Sequence, residues 1–214
     1  RSNEIVVRAG DGEPIVTRPA TRTYVDYDNI PQQVRDAFVW REDRDYWNHD
    51  GVNWRGKFRI PYDLVRRGRL VWNSGITEQV AKWMFTPRGR TAPPRNGLTG
   101  LLHKVLLEVP YAMELDNRFS KEKILEFYIN NAYFGDRSFG VVAAAGSYFG
   151  KELKDLTLPE SLFLSVLLNN PGKNPKVNGG LNLQMGEYTA FVNSLRDDEL
   201  ITEQQYQECK SENA

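Results

Sequence analysis

The stretch between positions 42 and 51 carries residue types that can do acid–base chemistry. It reads Glu-Asp-Arg-Asp-Tyr-Trp-Asn-His-Asp-Gly, and it opens with three ionisable side chains, Glu42, Asp43 and Arg44. These follow an apolar run, Val34 to Trp40, that is typical of a helix. A carboxylate placed where a helix gives way to a loop can face a cleft while its backbone stays anchored, which suits a general base. A solvated charged turn has the same composition, so the rest of the chain has to decide between the two.

The composition is that of one folded domain, or of one domain with a small appendage. The 214 residues are 40% hydrophobic and 12% aromatic, which excludes an intrinsically disordered protein. No apolar run approaches the roughly 18 to 20 residues that span a bilayer. Because the chain begins at Arg1 with a strand-like segment, we expect a targeting or anchoring part to have been removed. Cys209 is the only cysteine, so an internal disulfide is excluded.

Positive and negative charges balance over the whole chain but are unevenly distributed along it. Residues 41–110 hold 13 Lys and Arg against 7 Asp and Glu, whereas residues 111–214 hold 10 against 15. The basic segment includes the 42–51 stretch, which favours an anionic ligand such as a phosphate or pyrophosphate, or an anionic membrane surface. On charge alone, an ordinary solvated face stays open. We predict no nucleic-acid partner.

The beginning of the chain predicts a small β-appendage. Two strand-like segments, Ile5–Arg8 and Pro14–Thr17, flank a turn-rich stretch, and Thr23–Asp26 is a third strand-like segment. Beyond them the pattern is helical. We therefore divide the chain into an N-terminal β-hairpin segment, residues 1–29, and a helical domain, residues 30–214.

Helical periodicity and capping signals predict a mainly α fold for the larger part. The predicted helices are the run before Glu42, residues 57–67 with an interruption near Pro61, Thr77–Phe85, Leu101–Leu115, Ser120–Asn131, Phe139–Tyr148 closed by Gly150, a helix opened by the Thr157–Glu160 capping box, and a last one opened by Thr202–Gln205. Residues 86–100 are rich in Pro, Gly and Arg and predict a mobile loop, either a lid or a plain insertion.

Five segments, taken in order, resemble the family 51 glycosyltransferases, the peptidoglycan transglycosylases that occur alone or at the front of bifunctional class A penicillin-binding proteins. They are Glu42–Arg44 with His49 and Gly51, Trp72–Lys82, Lys104–Glu108 with Leu115–Arg118, Phe119–Lys151, and Leu156–Pro175. The fourth segment is long and specific, and the match covers roughly residues 30–206. The resemblance implies a lysozyme-like helical transglycosylase domain, of which this chain is a divergent member.

The resemblance also implies a reaction and roles for the matching residues. In that reaction the 4-hydroxyl of lipid II attacks the anomeric carbon of a growing glycan chain, and an α-linked polyprenyl pyrophosphate leaves with inversion. Glu42 matches the general base, and Glu108 matches a second glutamate that positions the pyrophosphate side or a metal. The matching substrate and pyrophosphate contacts are Asp43, Arg44, Ser74, Thr77, Gln79, Lys82, Lys104 and Arg118. We further expect Ser74 and Thr77 to cap the helix that follows them.

The same resemblance implies partners, location and ligands. The substrates would be lipid II and the growing glycan chain, at the membrane surface on the outer, periplasmic side of the bacterial cytoplasmic membrane. A fused domain or other cell-wall synthesis proteins would be partners, and the inhibitor moenomycin would be a ligand. No cofactor is predicted apart from a divalent cation, Mg²⁺ or Mn²⁺, which the resemblance leaves open. Two His and one Cys argue against a zinc site made of protein ligands.

Several positions depart from the family pattern. The family's Gly-Gly-Ser-Thr is here Trp72–Gly75, its first Gln is Glu78, its Arg-Lys pair is Lys104-Val105, and basic residues near the fifth segment are replaced by Gly186-Glu187. Glu78 would put a negative charge near the pyrophosphate. Pro110 is expected to kink the helix around it.

Two side chains in these segments are predicted to serve the structure. His49 is interpreted as a hydrogen-bonding residue with a structural role, and Tyr128 as part of the core. Three functions stay open: a peptidoglycan glycosyltransferase, a non-catalytic relative that binds lipid II or a partner, and a lysozyme-like glycan hydrolase. The hydrolase would need Glu42 as a proton donor with a raised pKa.

Overall fold

A computed structural model describes the helical part of the chain and a short N-terminal β-pair. The described residues are 7–8, 14–15, 23–57, 74–85, 100, 104–173, 175–176 and 179–211. Within them the α-helices are α1 (Gln32–Glu42), α2 (Trp54–Lys57), α3 (Ile76–Phe85), α4 (Val109–Arg118), α5 (Lys121–Asn131), α6 (Val141–Phe149), α7 (Leu158–Leu167), α8 (Gly180–Asp197) and α9 (Glu203–Ser211). Nearly all of the predicted helix at 57–67 and loop at 86–100 lies outside the described residues. No helix in the described part is both long and apolar enough to cross a membrane.

The N-terminal pair of strands is antiparallel. β1, Val7–Arg8, pairs with β2, Pro14–Ile15, and Val7 lies opposite Ile15 in the register. The predicted pairing of these two segments is therefore confirmed for the described residues 7–8 and 14–15.

The third predicted strand, Thr23–Asp26, is wrong, because the segment adopts no strand. Its backbone N–H groups donate hydrogen bonds to side chains of α5 instead. The Val25 N–H donates to Asn130 Oδ1 at 2.9 Å, and the Tyr27 N–H donates to Glu126 Oε2 at 3.0 Å. Side chains of α5 thus accept the backbone N–H groups that would pair with a neighbouring strand in a sheet. These hydrogen bonds hold the segment against the helical domain.

Local capping signals set several helix boundaries as the sequence predicts. Ser120 Oγ accepts the N–H of Lys123 at the start of α5. Thr157 and Glu160 form the predicted capping box at the start of α7. Gly150 ends α6 in the left-handed conformation, with φ at 66°, where a residue without Cβ is favoured.

Two apolar clusters hold the helices together. The first lies between α1, α3, α4, α5 and α6 and contains the buried aromatic side chains Phe38, Tyr46 and Tyr128. The second joins α7, α8 and α9 through residues such as Leu162 and Tyr188. Because α7 packs on α1 and on both C-terminal helices, it connects the two clusters. Burial of each large apolar side chain contributes about 1.5–3 kcal/mol, which fixes α1 and α3 relative to each other.

In the described part of the predicted helix Leu101–Leu115, which begins at Lys104, the first turn is π-helical. It spans Lys104–Glu108 and leads directly into α4, which carries Pro110 in its first turn. Proline is tolerated there because the N–H groups of a first turn have no intrahelical acceptor. The helix type thus changes just before Pro110, while the expected kink stays a prediction, and single π-helical turns are frequent at functional sites.

Candidate active site

Glu42 lies at the last position of α1, where two further helices approach it. Its Oε2 accepts a hydrogen bond from Gln79 Nε2 of α3 at 2.7 Å. The hydroxyl of Tyr128 of α5 lies beside the same carboxyl group, and its ring stacks on Trp83 with the ring centroids 5.1 Å apart. Three helices that are distant in sequence thus converge on one carboxyl group.

The surroundings of Glu42 act on its proton affinity in opposite directions. Burial raises its pKa above the ordinary glutamate value of 4.5, because a low dielectric disfavours the charged form. The Gln79 amide and the charge of Arg41 lower the pKa, since both favour the carboxylate. Burial and the charge of Glu42 hold the pKa of Tyr128 well above its usual range, so its hydroxyl stays protonated and can donate. A carboxyl poised in this way is suited to proton transfer.

Asp43 follows Glu42 in sequence but is turned into the protein. Its Oδ2 accepts the Ile76 N–H at 3.2 Å and lies 2.9 Å from His49 Nε2, and Asn53 Nδ2 is 3.4 Å from Oδ1. The interpretation of His49 as a structural hydrogen-bonding residue is confirmed by this contact. Because both oxygens of Asp43 contact protein donors, its carboxylate anchors the start of α3, and its predicted substrate contact stays a prediction.

The turn that opens α3 is held by carboxylates. Glu78 Oε2 accepts the Gly75 N–H at 3.0 Å, and Asp43 accepts the next N–H along the chain. Thr77 is fully buried beside Tyr46, and no side-chain cap comes from Ser74 among the described contacts of this turn. The predicted capping by Ser74 and Thr77 is therefore wrong, because two acidic side chains from within the protein occupy the first amides.

Gly75 is a position at which this fold needs glycine. A Cβ added there would lie 2.1 Å from Asp43 Oδ2, far inside van der Waals contact. Where the family pattern has Thr, this chain has a glycine beside a buried carboxylate. The buried Asp43 carboxylate fills the space that a side chain would take.

Glu78 forms a buried ion pair with Lys57, the last residue of α2. Lys57 Nζ lies 2.8 Å from Glu78 Oε2, and the two side chains are only 8% and 1% exposed. The expectation that Glu78 puts a negative charge near the pyrophosphate stays a prediction, but this carboxylate has a buried cation as its partner. Its charge is balanced within the protein.

The remaining predicted contacts divide into two groups. Glu108 is buried at the end of the π-helical turn, which packs against α3, and Lys104 opens the same turn. Lys82 is half-buried on α3 one turn beyond Gln79, so the two project from the same face of the helix. Lys82 therefore lies on the helix that contacts Glu42, and Lys104 and Glu108 lie on a turn that packs against this helix.

The two predicted arginines point elsewhere. Arg44 donates to Ser194 Oγ at 2.8 Å and pairs with Asp198, both at the end of α8. Arg118 ends α4, 70% exposed and paired with Glu114 at 2.5 Å. It lies ten positions beyond Glu108 along the helical chain, roughly 15 Å at 1.5 Å per residue. Their pyrophosphate contacts stay predictions, and the structure does not bring them to Glu42.

The described side chains provide few ligands for a divalent cation. Among the described residues, no group of three or more His, Cys, Asp or Glu side chains is placed to hold a metal ion. The oxygens of Asp43 and Glu78 already contact protein donors. This part of the chain therefore does not fit a cation held by protein ligands alone.

Sequence reasoning missed Lys57 and the position of Tyr128. Tyr128 is buried, so its predicted place in the core is confirmed, but its hydroxyl also reaches Glu42. Lys57 lies 21 residues from Glu78, and no motif marks the pair. The one available signal was Glu78 itself. It places a negative charge where the family that this chain resembles has Gln, and such a charge indicates a compensating cation.

Comparison with known proteins gives a family-level match over most of the chain. The family model described as Transglycosylase matches residues 11–189. Penicillin-binding protein 1A of Aquifex aeolicus is 36% identical over 190 residues, which cover 88% of this chain and 24% of that protein. Penicillin-binding protein 1F of Bacillus subtilis is 36% identical over 171 residues, covering 79% and 22%. The chain thus spans about a quarter of the length of these relatives.

A solved structure supports the fold. Penicillin-binding protein 1A from Haemophilus influenzae superposes with a TM-score of 0.50 at 22% identity, over 94% of this chain and 19% of that one. At this identity the likeness speaks for the fold alone. The predicted mainly α, lysozyme-like architecture is confirmed.

Proposed function

Because this chain belongs to the transglycosylase family, we propose that it is a peptidoglycan glycosyltransferase that polymerises lipid II into β-1,4 glycan strands. The observation that carries the proposal is the convergence of Gln79 and Tyr128 on the Glu42 carboxyl group at the end of α1. The general base of such a reaction must be held rigidly and must ionise near the working pH. The family match covers all three residues.

In the proposed step, Glu42 takes the proton from the 4-hydroxyl of the incoming lipid II. The hydroxyl oxygen forms a bond to the anomeric carbon of the donor glycan, and the bond from that carbon to the pyrophosphate oxygen breaks. The electron pair leaves with the polyprenyl pyrophosphate. Inversion follows because the base and the leaving group are on opposite faces of the sugar. The Gln79 amide favours the ionised form of the base and orients it before the proton arrives.

The leaving group needs positive charge more than it needs a proton, because pyrophosphate is a weak base. Lys82 lies on α3, which contacts Glu42, and Lys104 lies on the π-helical turn that packs against α3, and we assign both to this anion. Glu108 is assigned to positioning the pyrophosphate side. The remaining site assignments, Ser74, Thr77, Arg44 and Arg118, have weaker support from their surroundings.

A glycan hydrolase is the second candidate, because a carboxyl group whose pKa is raised by burial can also act as a proton donor. Glycosidases, however, commonly use a second carboxylate close to the first. Asp43, the adjacent one in sequence, is engaged by three protein donors. It therefore has little capacity to activate water, and this favours the transferase.

Location and partners follow from the same proposal. We place the reaction at the outer face of the bacterial cytoplasmic membrane, where lipid II and the growing glycan chain are presented. A fused domain and other cell-wall synthesis proteins are the proposed partners, as the chain spans about a quarter of its relatives.

Incubation with labelled lipid II in detergent separates the candidate functions when three products are measured together. A transferase yields polymer and polyprenyl pyrophosphate in step. A hydrolase releases soluble fragments from finished glycan, and a non-catalytic relative yields no product while still binding moenomycin in calorimetry. Failure to form polymer from lipid II at any pH between 5 and 9, about the range of carboxyl and lysine activity, overturns the proposal.

A further inference from the structure

We propose that Lys57 and Glu78 are positioning residues for the base Glu42, acting through the turn that opens α3. The inference rests on the proposed function and deepens it. It also reverses the expectation from sequence, in which Glu78 was a charge that weakens substrate binding. The ion pair would support catalysis without touching the substrate.

The first observation is the burial of the pair. Both side chains are at least nine-tenths buried, with Nζ and Oε2 2.8 Å apart. Charged groups at such depth are strongly destabilising when their partner is lost, because the remaining charge has neither water nor counter-ion. The pair therefore holds the end of α2 firmly against the start of α3.

The second observation is a continuous set of contacts from the pair to the base. The same Glu78 oxygen that meets Lys57 accepts the Gly75 N–H at 3.0 Å. The residue before it, Ser74, offers its carbonyl to Gln79 Nε2 at 3.2 Å. That amide nitrogen also donates to Glu42 Oε2 at 2.7 Å. The two protons of one amide group thus bridge the turn and the base.

The consequence is that the position of the turn sets the orientation of the Gln79 amide. If the turn moves, the amide can satisfy the Ser74 carbonyl or the Glu42 carboxylate, but not both with good geometry. Asp43 accepts a hydrogen bond from the next N–H of the same turn, that of Ile76. Two carboxylates from different parts of the chain therefore fix this turn from two sides.

The test compares Lys57→Met, Glu78→Gln and the double variant with the parent chain, in lipid II polymerisation. We expect each single variant to lose about tenfold or more in kcat with KM little changed, since small misplacement of a catalytic group is costly. The double variant should recover most of the lost kcat. It removes both charges together, and the amide introduced by Glu78→Gln still presents an oxygen to the Gly75 N–H.

The matched control is Asp116→Asn. Asp116 and Lys121 form another largely buried pair, 2.7 Å apart, on α4 and α5. This variant should lose stability without a comparable loss in kcat per folded molecule. Equal losses of kcat in Asp116→Asn and Glu78→Gln would overturn the positioning role, and so would a gain of activity in Glu78→Gln, which is the outcome that charge repulsion requires.

A readout independent of turnover keeps this inference separate from the proposed function. Carboxyl titration of Glu42 by NMR, with ¹³C-labelled glutamate, should show a higher pKa in Lys57→Met than in the parent. Loss of the Lys57 charge and displacement of the Gln79 donor both disfavour the ionised form of Glu42. A parent chain without polymerase activity but with this shift would defeat the proposed function alone. An unchanged Glu42 titration in Lys57→Met would defeat the positioning role.

Discussion

The end of α1 is held from two sides, and the two sides are built differently. Towards α3 the contacts are buried: Glu42 with Gln79, and Asp43 with the start of the helix. Towards α8 they are partly in water: Arg41 pairs with Glu187 at 2.9 Å, and Arg44 pairs with Asp198, with side chains between 18% and 50% exposed. The same short segment thus meets two environments.

This difference in burial shows on which side of α1 a carboxyl group can be adjusted for proton transfer. On the buried side a carboxyl group is surrounded by protein rather than by water. Its pKa and its orientation are therefore set by the residues that contact it. On the exposed side water and salt screen the charges, and ion pairs contribute little to stability. The three consecutive residues therefore act separately: Glu42 meets Gln79 and Tyr128, Asp43 anchors α3, and Arg44 reaches α8.

The largest expected effect comes from removing the base. Glu42→Gln should lower polymerisation by about 10²–10⁴-fold while folding is retained, because the amide cannot accept the proton. Initial rates of lipid II polymerisation measure the effect, and Glu187→Gln on the exposed side is the matched control. Wild-type rates in the Glu42 variant would remove Glu42 from the mechanism.

A smaller effect is expected at the amide that orients the base. The Gln79 hydrogen bond lowers the pKa of Glu42, so Gln79→Leu should raise it further. Since the base works ionised, activity is lost as pH falls through this pKa, and the acid limb of kcat should move to higher pH. The pH profile checks this, with kcat at the optimum reduced roughly tenfold for one lost bond to a charged group. An acid limb at the parental pH would show that Gln79 does not act on Glu42.

The close packing of the buried side predicts an unusual cost for a small change. Gly75→Ala should destabilise the fold by about 1–3 kcal/mol, because the new methyl meets the anchored Asp43 carboxylate. Gly186→Ala in α8 is the control, since nothing lies within 4 Å of its added Cβ. There we expect stabilisation of about 0.4–1 kcal/mol. Denaturant unfolding of both variants measures the contrast, and equal effects would contradict it.

The smallest effect is expected on the exposed side. Arg44→Ala should change the free energy of unfolding by less than about 1 kcal/mol, because its pair with Asp198 is open to solvent. KM for lipid II should stay near that of the parent. A large rise in KM would instead return Arg44 to the substrate contacts predicted from sequence.

The sequence alone determined the local structure and the position of Glu42 at the end of α1. Ser120, Thr157 and Gly150 set helix ends through bonds between close neighbours in the chain, so their patterns could be interpreted directly. Glu42 was placed at the end of a helix by the apolar run before it. The segments of the family resemblance gave the mainly α fold, which the solved relative supports.

Only the tertiary structure decided what each charged group meets. Asp43 and Ile76 are 33 residues apart, Gln79 and Glu42 are 37 apart, and Lys57 and Glu78 are 21 apart. Such pairs have no periodicity, because they depend on how helices pack rather than on the spacing within one helix. Burial then decides what a charged side chain does. A carboxylate that would repel an anion at the surface is neutralised by its partner in the interior and anchors the fold there.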